Sequence, residues 1–199
     1  MFKRLLTCLF ILALTLTAVA ARRPAFRAGK DYQIIHSTAA AEVNPNDKIQ
    51  VIEFFSYGCP WCNILEGPLE TWLAKKPKGV TFKRVPVVFE KGWNVYAKAY
   101  FIAKALDVDK KISPKIFDAI HNKKVPLQDE AEMQAFFLKH SGVDETSFKS
   151  AWNFSPGIDM QINRSFQLMR TYKIHSVPTI VVAGKYKTNS NQRFRPFSK

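Results

Sequence analysis

Cysteine is scarce in this chain: Cys8, Cys59 and Cys62 are the only three in 199 residues. That excludes a small scaffold stapled by several bridges, which needs many cysteines to replace a hydrophobic core. No stretch holds the eighteen or so consecutive apolar residues of a membrane-spanning helix, so the mature protein is expected to be soluble. Acidic residues are also few. Sixteen Asp and Glu stand against 30 Lys and Arg, a formal net charge of +14. Such an excess suits anionic surfaces or acidic unfolded chains, although solvated surface lysines account for it as well. Metal-ligand spacing is lacking too. None of His36, His121, His140 and His175 has a partner at that spacing to complete a site with Cys59 and Cys62, so neither a metal nor a cofactor is expected.

At the N-terminus, Lys3 and Arg4 precede an apolar run from Leu5 to Leu16, and Ala18-Val19-Ala20 follows as a small-x-small cleavage site. Residues 1–20 therefore read as a secretory signal peptide. Cys8 lies inside it, and the apolar run continues past that cysteine, which argues against a lipid-attachment site. Cleavage would leave about 179 residues, enough for a core of their own, with Cys59 and Cys62 as the only thiols. Export argues against a nucleic-acid partner.

Those two thiols stand in Cys59-Pro60-Trp61-Cys62, between a strand-like run from Ile49 to Ser56 and a helix-like one. Unpaired N–H groups and the positive end of the dipole at a helix N-terminus stabilise a thiolate, so Cys59 should titrate low. A two-residue spacer lets Cys62 close a disulfide with it. So short a loop removes little chain entropy, which makes stabilisation a weak reason for a Cys59–Cys62 bridge and redox chemistry a better one.

Around the motif, residues 21–30 form a loose basic lead-in, Tyr32 to Ile35 a short edge strand, and Asn44-Pro45-Asn46-Asp47 a turn. Ile49 to Phe55 is nearly continuous in apolar residues, as in a central strand covered on both faces. Ile64, Leu65, Leu69, Trp72 and Leu73 keep helical spacing, with a kink expected at Gly67-Pro68. Val80 to Phe89 reads as a second strand, with Pro86 arguing for an edge or a bulge towards its end. Residues 92–174 then carry four or five helices, one starting at Ser113-Pro114, another at Ser155-Pro156, and one ending at Gly142. Strand character returns at Thr179 to Ala183, with a hairpin turn at Gly184-Lys185. The first part of an α/β domain over 31–91, a helical insertion over 92–174 and closing strands over 175–189 complete the expected organisation.

CPWC after Ile49-Gln50-Val51-Ile52-Glu53-Phe54-Phe55-Ser56-Tyr57-Gly58, the helical block, and Ser176-Val177-Pro178-Thr179 before a closing strand resemble the DsbA family of periplasmic disulfide oxidoreductases. The resemblance spans about Tyr32 to Asn189 and implies a thioredoxin-like fold with an inserted helical subdomain. It implies a periplasmic oxidant that donates a redox-active Cys59–Cys62 disulfide to unfolded exported proteins with free cysteines and is reoxidised by a DsbB-like, quinone-linked membrane oxidase. Cys59 would be the exposed attacking cysteine and Cys62 the buried resolving one. Pro60 would limit motif flexibility, Pro178 would be a cis-proline facing the motif, and Val177 before it would pair with substrate backbone. Glu53 would be a buried acid that takes or gives the proton of Cys62, with Arg84 as its counter-ion.

Trp61 departs from the Pro-His usual in these relatives. Lacking a potential cation, it should make the pair less oxidising, partly offset if His175 approaches the thiols. A reductase or isomerase of the same fold is the first alternative, although no segment remains for a dimerisation domain and a monomer is expected. Phe54, Phe55, Tyr57, Phe89 and Trp93 are candidates for an apolar surface near the site. Residues 190–199 form an irregular basic tail where relatives continue into a C-terminal helix, so that helix is expected to be missing. Chaperone-like binding through uncovered apolar surface is the non-enzyme alternative.

Overall fold

The computed structural model describes residues 26–36 and 49–189. The leader, Cys8, the turn at Asn44 to Asp47 and the tail after Asn189 lie outside the described residues. Five strands and six helices follow in the order β1 (Gln33–Ile34), β2 (Ile49–Phe55), α1 (Pro60–Ala74), β3 (Val80–Pro86), α2 (Trp93–Ala105), α3 (Asp109–His121), α4 (Glu130–Ser141), α5 (Glu145–Asn153), α6 (Pro156–Thr171), β4 (Thr179–Val182) and β5 (Tyr186–Asn189).

They build one mixed sheet in the order β1-β5-β4-β2-β3. β2 runs parallel to β3, with Glu53 in register with Arg84, and antiparallel to β4, with Glu53 opposite Ile180. Its last five residues are buried, as its near-continuous apolar sequence requires of a strand flanked on both sides. Pro86, which has no N–H to donate, ends β3 at the sheet edge, three residues earlier than expected; pairing continues only through Val87 N–H, which donates to the Phe55 carbonyl at 2.8 Å. The outer edge of β3 is occupied at two carbonyls. Lys76 Nζ donates to Val80 (2.6 Å) and the Tyr100 hydroxyl to Arg84 (3.4 Å).

Between β3 and β4 the five helices α2–α6 pack around α2, which is apolar on nearly every side: Trp93, Tyr96, Ala97, Tyr100, Phe101 and Ile102 are all buried. α2 meets α3, α5, α6 and β3. The helical and sheet cores are continuous, running from Phe54 and Phe55 through the two motif cysteines to Phe137, Phe148 and Trp152. Asp129 and Asp144 cap α4 and α5, accepting from the N–H groups of Glu132 and Ser147 at 2.8 and 2.9 Å, and Gly142 closes α4 in the left-handed region at φ 87°.

Three local readings are corrected. α3 starts at Asp109 rather than at Ser113-Pro114; Ser113 is buried and turned toward Tyr57, while Pro114 lies inside the helix and deprives it of one hydrogen bond. The hairpin turn spans Val182–Lys185, closed by Lys185 N–H to the Val182 carbonyl at 3.0 Å, with both Ala183 (φ 51°) and Gly184 (φ 63°) left-handed. From Arg27 to Tyr32 the lead-in is hydrogen-bonded rather than loose, through Arg27 N–H to Asp31 Oδ2 at 2.8 Å and Gly29 N–H to the Tyr32 carbonyl at 2.7 Å.

Because Phe137 is fully buried against Phe148, with ring centroids 5.1 Å apart, Phe137→Ala should destabilise the protein by about 3–5 kcal/mol in urea denaturation. Lys149→Ala, which removes an exposed helical ion pair with Glu145, should leave the midpoint in place.

Candidate active site

The chain leaves β2 through a tight turn in which Cys59 N–H donates to the Ser56 carbonyl at 3.1 Å and Gly58 N–H to Ser56 Oγ at 3.1 Å. A side chain at Gly58 has no room, since a Cβ there would fall 2.5 Å from Trp93 Nε1. Cys59 is the N-cap of α1, in extended conformation, and Pro60 occupies the first helical turn, where its missing N–H costs nothing. The Cys59 sulfur takes the place of a capping oxygen and accepts from the Cys62 N–H at 3.3 Å. Both cysteines are free thiols.

The Val177–Pro178 peptide is cis, and the Val177 carbonyl lies 3.4 Å from Cys59 Sγ, positioned to accept from the thiol. Set against this segment, Cys59 is only 4% exposed, which corrects the expectation of an exposed cysteine; Cys62 is at 0%. Trp61, by contrast, is 61% exposed.

The two sulfurs experience opposite environments. Hydrogen bonding from the Cys62 thiol, helped by the backbone N–H groups of Cys62 and Trp61, holds the Cys59 thiol below its ordinary range despite opposing burial and the Glu53 charge. Burial first, then the hydrogen bond to Cys59 and the Cys59 and Glu53 charges, push Cys62 far up. A single negative charge on the pair therefore resides on Cys59.

Glu53, also at 0% exposure, sits in the middle of β2. Arg84 Nε donates to its Oε2 at 2.7 Å, while Oε1 has no hydrogen-bond partner among the described residues. The same guanidinium pairs with Glu66 on α1 through Nη2 and lies 5.0 Å from the centre of the Phe55 ring. Burial raises Glu53 to about 7, against the opposing attraction of Arg84 and with added repulsion from Glu66. Glu66 is raised as well, chiefly by burial. One cation between two carboxylates leaves part of their charge uncompensated.

The remaining candidates divide. Phe54, Phe55, Tyr57 and Trp93 are core residues, and only Phe89, 40% exposed, faces solvent among the five aromatics. His175 is exposed and is not a hydrogen-bond partner of either sulfur. Among the described residues no group of three or more His, Cys, Asp or Glu could hold a metal ion, and no helix is long and apolar enough to cross a membrane. Three participants escaped the sequence reading. Glu66, four residues after Cys62 and so on its helical face, was signalled by spacing; Gly58 and His121, whose Nε2 lies 2.7 Å from the Tyr57 carbonyl, depend on partners 35 and 64 residues distant.

A paired thiol at the start of the helix leaving the central strand, on a mixed sheet, places the molecule among the thioredoxin-fold dithiol oxidoreductases. A family model described as the DSBA-like thioredoxin domain matches residues 50–199. The chain is 39% identical over 188 residues to the thiol:disulfide interchange protein DsbA of Burkholderia cepacia, covering 94% of this chain and 87% of that protein. Identity to the DsbA of Pseudomonas aeruginosa PAO1 is 34% over 183 residues, covering 92% and 84%. The fold is similar to the crystal structure of Pseudomonas aeruginosa DsbA (TM-score 0.76, 33% identity, 84% and 85% covered) and of the oxidoreductase DsbA from Xylella fastidiosa (0.74, 32%, 84% and 89%). This chain belongs to the DsbA-like thioredoxin domain family, and it is a thiol:disulfide oxidoreductase.

Glu53 has a sign-definite effect on stability. Unfolded, it loses its proton near its ordinary value of 4.5, whereas folded it keeps the proton until about 7. Stability should therefore be full below the lower value and fall by about 3 kcal/mol as pH rises from one to the other. Glu53→Gln should flatten that window in urea titrations of the reduced protein; an unchanged slope would show that another group titrates there.

Proposed function

We propose that this protein works in the periplasm as an oxidant, introducing disulfides into unfolded exported proteins through Cys59 and Cys62. The observation that supports this direction is the asymmetry of the pair: Cys59 is stabilised as a thiolate at the start of α1 and Cys62 is held as a thiol. Stabilising the reduced form makes the disulfide a stronger oxidant.

In the oxidised protein, a substrate thiolate attacks Cys59 Sγ, the Cys59–Cys62 bond breaks, and Cys62 leaves with the electron pair. Its high proton affinity draws a proton from Glu53, which near neutral pH is partly protonated and close enough for its charge to act on Cys62. A second substrate thiolate then attacks the substrate sulfur of the mixed disulfide and expels Cys59 as the stabilised thiolate. Two electrons have passed from substrate to the motif, and the substrate carries a new disulfide. Val177 and Pro178, set against Cys59, are the segment along which substrate backbone would lie. A quinone-linked membrane oxidase of the DsbB type would restore the disulfide. The Lys3-Arg4 start, apolar run and Ala18-Val19-Ala20 site support export.

Equilibration with glutathione tests the direction. A reduction potential well above about −180 mV is expected; a value near the −270 mV typical of thioredoxin would reverse the assignment to a reductase. Cys59→Ser should abolish disulfide transfer, and Cys62→Ser, which cannot form the Cys59–Cys62 disulfide, should lose it as well while its Cys59 thiolate attacks oxidised glutathione, releases one glutathione thiolate and stays trapped as the mixed disulfide.

A further inference from the structure

The turn that delivers Cys59 to α1 is gripped by one face of α3. Ser113, Phe117 and His121 are spaced i, i+4, i+8, and all three meet Tyr57. The Ser113 hydroxyl is 2.6 Å from the Tyr57 hydroxyl, the Phe117 ring stands edge-on to the Tyr57 ring at 5.0 Å, and His121 Nε2 is 2.7 Å from the Tyr57 carbonyl. A carbonyl only accepts, so Nε2 carries the hydrogen. The imidazole is itself stacked on Phe117 at 6.1 Å, with 26° between the planes.

The Tyr57 carbonyl belongs to the central peptide of the Ser56–Cys59 turn. The turn's own hydrogen bond, Cys59 N–H to Ser56, leaves that carbonyl unused. Turns of types I and II differ by a flip of this peptide, and type II needs a left-handed residue at the third position. Gly58 holds that position, and it is not left-handed in the structure. Glycine makes the flipped turn accessible as well. The sequence thus permits two turns, and the bond from His121 at one end of this peptide, with that from Gly58 N–H to Ser56 Oγ at the other, selects one.

We propose that His121 is a positioning residue for thiol–disulfide exchange: by holding the Tyr57 carbonyl it fixes the Tyr57–Gly58 peptide, the central plane of the turn into Cys59, and so keeps the Cys59 sulfur on the N–H groups of α1. A flipped peptide would turn the Gly58 N–H away from Ser56 Oγ and make Gly58 left-handed, loosening the turn that sets Cys59 in the extended conformation from which its sulfur accepts from Cys62 N–H at 3.3 Å. Held in place, the thiolate is stabilised; released, it loses those donors for part of the time. Trp61 brings no cation to the motif, so the backbone donors carry more of this task than they would beside a histidine.

This inference rests on Cys59 as the thiolate of the pair, and the test separates the two. Thiolate absorbance at 240 nm against pH, and the equilibrium with glutathione, are measured for the wild-type protein, His121→Gln, His121→Leu and His121→Asn. Glutamine places an amide N–H near the position of Nε2, whereas leucine has no donor and the asparagine amide is too short. Leu and Asn should each raise the Cys59 titration by about one unit and move the glutathione equilibrium about tenfold toward the disulfide, roughly 30 mV. Gln should stay within about twofold of wild type. Urea midpoints identify any variant that fails to fold, and Asn serves if Leu does so. Wild-type titration in a folded Leu or Asn variant overturns the inference, as does a shift in Gln equal to theirs. A wild-type Cys59 that titrates in the ordinary thiol range refutes instead the assignment of Cys59 as the stabilised thiolate.

Discussion

A sulfur atom stands where a helix would ordinarily place a capping oxygen, and the chemistry of the molecule depends on that substitution. As N-cap of α1, Cys59 offers a polarisable atom to a backbone N–H that has no partner within the helix. The bond satisfies the backbone and stabilises the anion at once. Cys62, one turn further on, is sealed in the core, and its backbone hydrogen bond with Ser56 does not offset that burial. Three residues of sequence thereby separate a thiol that ionises readily from one that resists ionisation. The strand before the motif and the helix after it convert that local difference into a directed reaction.

The buried ionic cluster beneath the motif has a different logic. Taking Glu53 out of water costs more than Arg84 returns, and the charge of Glu66, which shares the guanidinium, adds to the deficit. An apolar residue in mid-β2 would give a quieter core, with no orphaned oxygen. The strand instead holds a carboxyl that burial keeps protonated up to about 7 and whose charge acts on the less acidic thiol, at the expense of stability.

Much of this organisation is legible in the residues. The unbroken apolar stretch of β2, the CPWC that follows, and the returning strand at Thr179 are local signals, and local signals survive folding. Glu53 declared itself as a charge in an apolar strand, and Arg84 as its counterpart in the adjoining one. Features set by tertiary packing were less legible. Ser113-Pro114 has the chemistry of a helix start, yet Ser113 is needed by Tyr57 and the helix begins a turn earlier at Asp109. The exposure of Cys59 is implied only by the family resemblance, and no local signal tells against it, because the Val177 that covers it comes from 118 residues away. The aromatic residues around the motif look alike in sequence, and only their place between sheet and helices decides that Tyr57 is core and Phe89 is surface.

The outer edge of β3 has a bearing on self-association. A bare strand edge is a template on which extended peptides, or a second copy of the same edge, add to a growing sheet. Here the amino group of Lys76 and the hydroxyl of Tyr100 already occupy the Val80 and Arg84 carbonyls at the two ends of that edge. An incoming strand would have to displace both before it could pair. On the side of its parallel strand the sheet thus resists propagation with groups from outside its strands, so that a lysine and a tyrosine act as its guard.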